Sequence, residues 1–290
     1  MPSRRWVVVS GASTGIGRAI SLRLAREGWH VLAGYRRPEH AEQLKADAAA
    51  LGAGQSLEPL RLEVTDERDI QACVARVEAL RAQGDVLVGL VNNAGVFVLG
   101  GIETLDLAGW RRQFDINVFG VVALTRALLP SLIEAKGRVI NISSIGGRVA
   151  QPLLGAYTAS KFALEALSDA LRMELADTGV AVSIIEPGAI KTPIFDKSMS
   201  QAEESIRAIP AYARARYEPK IRNLEKVGKR MMEKTAIDPD KVATRVVRAL
   251  RARRPFTRAL VGADARVLAL LKAALPTRVM DWFIRKSYGV

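Results

Sequence analysis

The segment Arg5-Trp6-Val7-Val8-Val9-Ser10-Gly11-Ala12-Ser13-Thr14-Gly15-Ile16-Gly17 constrains the fold of this chain more than any other. A β-branched run leads at once into three glycines spaced Gly-x3-Gly-x-Gly. An apolar pattern of helical period follows, carried by Ile16, Ile20, Leu22 and Leu24. Such a run reads as a strand buried on both faces of a parallel sheet. Glycines at a strand–helix turn let the backbone approach a pyrophosphate, and the free N–H groups and positive dipole end of the helix favour an anion there. A ligand-free glycine turn has the same letters, but the strand–turn–helix context favours nucleotide binding.

The next strand candidate, His30-Val31-Leu32-Ala33-Gly34, ends in Tyr35-Arg36-Arg37. Where a dinucleotide's adenosine ribose is read, a carboxylate accepts from the 2′-hydroxyl of NAD, whereas a guanidinium pairs with the 2′-phosphate of NADP. Tyr35 stands at the acid's place and Arg36 follows it. The expected cofactor is therefore NADP(H) rather than NAD(H), with Arg36 on the 2′-phosphate and Ser13 adding a hydroxyl. Two solvated arginines at the start of a loop are the plain alternative.

Strand-like and helix-like segments alternate from residue 5 to about residue 185 of the 290, which predicts one α/β domain over 1–290. Apolar runs at 86–91, 138–142 and 180–185 read as central strands, and 67–82, 104–134 and 156–177 as helices. No signal-peptide pattern precedes Trp6, and no apolar stretch reads as long enough to span a bilayer, so a cytoplasmic protein is expected. Cys73, the single cysteine, excludes a disulfide within the chain and reads as a small buried side chain. His30 and His40 lack partners at metal-ligand spacing, so no metal site is expected. Neither histidine follows a later strand, which leaves a Ser-His-Asp hydrolase poorly supported. The charge is lopsided: residues 196–290 hold 22 Lys/Arg against 10 Asp/Glu, a net +12 of the chain's +13. A basic face of that kind suits an anionic membrane, an acidic partner or nucleic acid, or is simply solvated. No nucleic-acid reader motif or aromatic platform accompanies it, so no nucleic-acid partner is expected.

Tyr157 and Lys161 stand four residues apart in Gly155-Ala156-Tyr157-Thr158-Ala159-Ser160-Lys161. Residues at that interval share a helix face. A nearby ammonium favours phenolate and lowers a tyrosine pKa from its ordinary value near ~10. The pair alone is common, and an idle exposed pair has the same spacing.

Together these motifs resemble the short-chain dehydrogenase/reductase family over about residues 4–195. Ser10 through Gly17 resembles its cofactor loop, and Asn92-Asn93-Ala94-Gly95 its fourth-strand motif. Asn117 matches the family's helix asparagine, Ser144 lies thirteen residues before Tyr157, and Pro187-Gly188 with Thr192 matches the segment closing over the nicotinamide. The resemblance implies an α/β fold, a Rossmann-type doubly wound parallel sheet with helices on both faces and a helical C-terminal extension. It implies a catalytic set of Asn117, Ser144, Tyr157 and Lys161. Tyr157 exchanges the proton, Lys161 lowers its pKa and holds the nicotinamide ribose, Ser144 donates to the substrate oxygen, and Asn117 holds a water leading to solvent. Cofactor contacts are expected from Gly11, Ser13, Thr14, Gly15, Ile16 and Gly17 at the phosphates and from Asn93, Ala94 and Gly95 on the adenosine side. Pro187, Gly188, Ile190 and Thr192 are expected at the nicotinamide. Two positions depart from the pattern: Ser10 replaces a threonine, and Glu63 replaces an aspartate expected, with the Val64 backbone, near the adenine. Thr257 to Ala265 and Leu275-Pro276-Thr277 resemble, more loosely, the retinol and hydroxysteroid dehydrogenase branch.

Residues 193–235 occupy the place of the family's substrate lid and carry Phe195 and other apolar residues among charges. With Leu153 and the Ser144 and Tyr157 hydroxyls they imply an apolar, bulky alcohol, ketone or aldehyde as substrate; packing on the core explains the same lid residues. Residues 264–290 read as a basic amphipathic tail, broken at Pro276, that either touches an anionic membrane or packs on the core or on a partner subunit. Helices apolar over much of their circumference at 104–134 and 156–177 fit a homodimer or homotetramer. A regulator that binds cofactor without chemistry is the rival that the full Asn117, Ser144, Tyr157, Lys161 set argues against.

Overall fold

A computed structural model describes residues 3–193 and 202–289 of the chain. Seven parallel strands form one sheet in the order β3-β2-β1-β4-β5-β6-β7. They are β1 (Arg5–Val9), β2 (His30–Tyr35), β3 (Leu57–Arg61), β4 (Val86–Asn92), β5 (Arg138–Ile142), β6 (Ala181–Pro187) and β7 (Arg258–Val261). The chain reaches the β3 edge, then crosses back to lay β4 beside β1. That reversal opens a crevice at the carboxyl ends of β1 and β4, where open α/β sheets bind ligands.

Burial on both faces of the sheet explains why β1 is apolar from Trp6 to Val9. Val7 and Val9 enter a core on one face of the sheet and Trp6 and Val8 a core on the other, and all four are buried. Burying each such side chain contributes roughly 1.5–3 kcal/mol. The first face is covered by α1 (Gly15–Arg26), α2 (Glu39–Ala50) and, after β6, α9 (Asp240–Arg251), which supplies Val242, Val246 and Leu250. The second carries α3 (Glu67–Ala82), whose Ile70, Cys73 and Val77 are buried, and α5 (Gly120–Glu134), whose Leu124, Leu128 and Leu132 are buried. The Cys73 thiol is pushed up to about 12 by burial, so it stays neutral and acts as core.

Three sequence expectations need correction. The apolar helix expected over 104–134 is α4 (Leu107–Phe114), one π turn at Asp115–Phe119, and α5. The run Leu107–Glu134 is also long and apolar enough to cross a bilayer by length and composition, contrary to the reading above. Arg126 is the one charged residue between Ile116 and Ile133, and the scattered small residues disguise the run's mean hydropathy. Here α5 packs on β4 and α3, the place of a core helix. The edge strand β7 was not foreseen: it has four residues and begins with a guanidinium that ion-pairs with Glu165 and Asp169 of α6 (Gly155–Glu174).

The lid consists, among the described residues, of α7 (Ala202–Arg207) and the long α8 (Ala211–Thr235). Asp238 then accepts from the Asp240 N–H at 2.7 Å and starts α9. The tail is α10 (Ala263–Ala274) and α11 (Thr277–Tyr288), broken at Pro276.

Candidate active site

The glycine loop between β1 and α1 is held from the side. The Ser10 hydroxyl accepts from the N–H groups of Asn93 and Ala94, both at 3.0 Å. The Asn93 amide donates to the carbonyls of Ser10 and Gly11, also at 3.0 Å. Asn93 thus locks the loop from beneath; its side chain is spent on backbone. A methyl group on Gly17 would run into the Gly11 carbonyl, so only glycine lets α1 start this close to β1. Thr14 makes no side-chain cap and the first turn of α1 holds no acid, so its N–H groups are left for an anion. Gly15 sits against the Thr192 side chain, which brings the nicotinamide-side segment over the loop. These residues fit a dinucleotide.

Two expected adenosine-side residues meet each other. The Arg36 guanidinium lies 3.5 Å from the Glu63 carboxylate. The Glu63 N–H donates to Asp69 at 2.8 Å, and Asp69 also takes Arg61 at 3.3 Å, so the loop carrying Glu63 and Val64 is fixed by a buried carboxylate.

Beyond β4, two buried amides shape the substrate side. Asn117, in the π turn, donates to the Val96 carbonyl at 3.0 Å and accepts from the Val96 N–H at 2.9 Å. Gln113 donates to the same carbonyl at 2.7 Å and accepts from the Val98 N–H at 2.8 Å. The loop between is pinned on both sides, and Phe97 lies against Tyr157 with ring centroids 4.8 Å apart. Asn117 also donates to the Ser160 hydroxyl at 3.2 Å, which itself donates to the Tyr157 carbonyl at 2.7 Å. The Asn117 side chain is therefore structural, tying the π turn to the helix that carries Tyr157. Phe97 and Gln113 were not foreseen, because nothing local marks them.

Tyr157 and Lys161 share a face of α6 as their spacing predicts. Tyr157 keeps part of its surface open, yet the protein around its phenol pushes that group above its ordinary pKa of 10.0, with the Ser144 hydroxyl as the neighbour opposing the shift. Lys161 is buried and donates to the Ile142 carbonyl at 2.9 Å, at the end of β5. Burial lowers its pKa to about 8, opposed by Glu165 one turn on. The Lys161 ammonium is turned to the Ile142 carbonyl. The Ser144 hydroxyl accepts from the Gly146 N–H at 3.0 Å and caps the turn that follows β5.

The segment after β6 is clamped by the C-terminal region. Gly188 N–H donates to Val261 O at 2.9 Å, Ala189 N–H donates to Asp264 at 2.7 Å, and Ala189 to Lys191 exchange backbone bonds with Ile237. A methyl group on Gly188 would run into the Asp264 carboxylate. Thr192 is thereby placed against Gly15 of the glycine loop, and Ile190 bridges to Ile237.

Leu153 lies in an apolar cluster with Leu99, Leu154 and the lid residues Ile206, Ile209 and Ile221, and Phe97 packs against it. Leu153 adopts a left-handed φ of 65°, a strained conformation for a leucine. Phe195 lies outside the described residues. The tail packs through Met280 and Ile284 on Ile145 and Val149 beside the Ser144 turn. Its other face leaves Leu270 and Trp282 69% and 64% exposed.

The family profile described as short chain dehydrogenase matches residues 5–203. Mouse (Mus musculus) retinol dehydrogenase 5 is 38% identical over 287 residues, 96% of this chain and 87% of that protein. A short-chain dehydrogenase from Streptomyces avermitilis has a similar structure, with a TM-score of 0.76 at 31% identity, covering 100% of this chain and 99% of the other. An actinorhodin polyketide ketoreductase variant with NADPH gives a TM-score of 0.73 at 27% identity, over 89% and 95%. The chain therefore belongs to the short-chain dehydrogenase family, in its retinol- and hydroxysteroid-dehydrogenase-like branch, and is an oxidoreductase acting on CH–OH groups.

Proposed function

We propose that this oxidoreductase uses NADP(H) in preference to NAD(H) and interconverts an apolar, bulky secondary alcohol with its ketone, or an alcohol with its aldehyde. The observation that carries this reading is the Tyr157 phenol, placed between the Ser144 hydroxyl and the Phe97 ring at the edge of an apolar cluster. The glycine loop would hold the pyrophosphate of a dinucleotide, whose nicotinamide would supply or take up the hydride. Tyr157 donates a proton to the substrate oxygen in reduction and removes it in oxidation. A phenol of ordinary pKa is protonated at neutral pH, the form reduction requires, and burial pushes this one in the same direction. Ser144 donates to the same oxygen, and that bond strengthens as negative charge gathers there. Lys161 anchors α6 to β5 and brings a cation near neutrality to the cleft. Arg36 is the group for a 2′-phosphate: its guanidinium is half-exposed and no carboxylate stands in the Tyr35 position.

Leu99, Leu153, Phe97 and the lid helices favour a substrate with a large apolar body. The exposed Phe119, 61% open on the π turn beside α5, and Met173 on α6 suit a homodimer or homotetramer, which light scattering measures. The outer face of α10 and α11 pairs Leu270 and Trp282 with Lys272, Arg278 and Lys286, a surface for peripheral contact with an anionic membrane. Consumption of NADPH and of NADH with a panel of apolar ketones and aldehydes tests the reading. Turnover with bulky carbonyls and NADPH is expected; no turnover across the panel, or a preference for NADH, contradicts it.

A further inference from the structure

A cavity of about 430 Å³ lies between α9 and the start of α10, bordering through Ile237 and Val261 the segment after β6. None of its lining residues belongs to the glycine loop or to the Tyr157 surroundings. Lys241, Arg245 and Arg248 line it from α9, and Arg266 from α10. The spacing 241, 245, 248 places three cations on one helix face, where like charges one turn apart destabilise a helix by a few tenths of a kcal/mol per pair. Several arginines near these helices are paired. Arg23 holds Glu27 and Asp240, Arg251 holds Glu27, and Arg258 holds Glu165 and Asp169. None of the four groove cations has an ion pair among the described residues.

The nearest acids are occupied. Asp240, in the first turn of α9, turns to Arg23 at 2.8 Å. Asp264, in the first turn of α10, turns to the Ala189 N–H at 2.7 Å. Asp238 accepts from the Asp240 N–H at 2.7 Å. Asp240 is thus paired with Arg23, while Asp238 and Asp264, bonded to backbone N–H groups, keep their charge beside a groove lined by four cations. Between the cations the wall is apolar, made by Ile237 and the buried Val261, and the Thr244 hydroxyl is spent on the Asp240 carbonyl.

We propose that this groove binds a phosphate monoester carrying an apolar chain. Three guanidinium groups and an ammonium around one space suit the several acceptor oxygens of a phosphate, which arginine takes bidentately. The apolar wall and a volume within the range of small-molecule sites leave room for a hydrocarbon portion. The phosphate belongs either to a free amphiphile or to a lipid headgroup, and the groove chemistry is the same for both.

Calorimetric titration of the NADPH-saturated protein with hexyl phosphate tests the site, because saturation keeps the probe out of the cofactor cleft. Saturable binding is expected, weakened at least ~10-fold in Arg245→Ala/Arg266→Ala, in line with loss of charge-assisted hydrogen bonds. Carbonyl turnover without the probe should be unchanged in that variant, which shows that it folds. Arg253→Ala/Arg254→Ala, outside the groove, should bind as the parent does. Competition of hexyl phosphate with phosphatidic acid vesicles, whose headgroup is also a phosphate monoester, set against hexyl phosphate binding in their absence, assigns the phosphate to a lipid or to a free amphiphile. Absence of saturable binding, or equal binding by the parent and the Arg245/Arg266 variant, overturns the proposal.

Discussion

Asp264 accepts a hydrogen bond from the backbone N–H of Ala189 at 2.7 Å, across 75 positions of sequence. A residue of the C-terminal helices thus sets the turn after β6, and Gly188 is the residue that lets the carboxylate come so close. The same helices pack on Ile145 and Val149 beside Ser144, and the lid residue Asn223 donates to the Tyr288 carbonyl at the end of α11. The tail is a clasp joining the lid, the catalytic turn and the nicotinamide segment.

Asp264→Ala is expected to raise the KM for NADPH by ~10-fold or more with a smaller change in kcat, because a hydrogen bond to a charged group contributes about 1.5–3 kcal/mol. Asp264→Asn, which keeps an acceptor, should recover most of the loss. Steady-state kinetics with varied NADPH measures both.

On the proposed reading, Arg36 decides between the two cofactors. Arg36→Leu is expected to lower kcat/KM with NADPH by roughly 10–100-fold, the scale of one or two charge-assisted hydrogen bonds. The value with NADH should stay within about threefold. Paired kinetics with the two cofactors reads the ratio, and an unchanged ratio places the 2′-phosphate elsewhere.

Burial lowers the pKa of Lys161 from 10.5 in the unfolded chain to about 8 in the fold. Between those values the unfolded chain holds a proton that the native protein has released, so stability rises with pH through that window. Below about 8 both states are protonated and the cost of burying the charge is felt in full. Urea midpoints of the protein relative to Lys161→Met at about pH 7 and about pH 10 should show the difference moving in favour of the parent at the higher pH. A pH-independent difference means the amine titrates as it does in water.

The parts of this site that were legible in the sequence are the local ones. β1, its glycine loop and α1 are contiguous, and Tyr157 with Lys161 needs only the geometry of one helix turn. The alternation of strands and helices sufficed for five of the seven strands; β3, with Glu58, Pro59 and Arg61 among five residues, and the four-residue β7 show no strand pattern. Phe97, Gln113 and Asp264 were illegible because their neighbours are distant in sequence. Gln113 finds the loop at Val96 and Val98 only after α4 folds over it, and Asp264 finds Ala189 only once β7 has paired with β6. For Asn93 and Asn117 the positions were legible but the partners were not: Asn93 reaches the carbonyls of Ser10 and Gly11, and Asn117 reaches the Val96 backbone and the Ser160 hydroxyl.

The most direct measurement is turnover of Tyr157→Phe with NADPH and a bulky apolar ketone, with NADPH affinity followed by fluorescence titration. The account predicts a fall in kcat of at least ~10³-fold with cofactor affinity within about threefold of the parent, since the lost hydroxyl supplies the proton and helps position the carbonyl. A kcat within about tenfold of the parent, with cofactor binding intact, would contradict the assignment of Tyr157 as the proton donor.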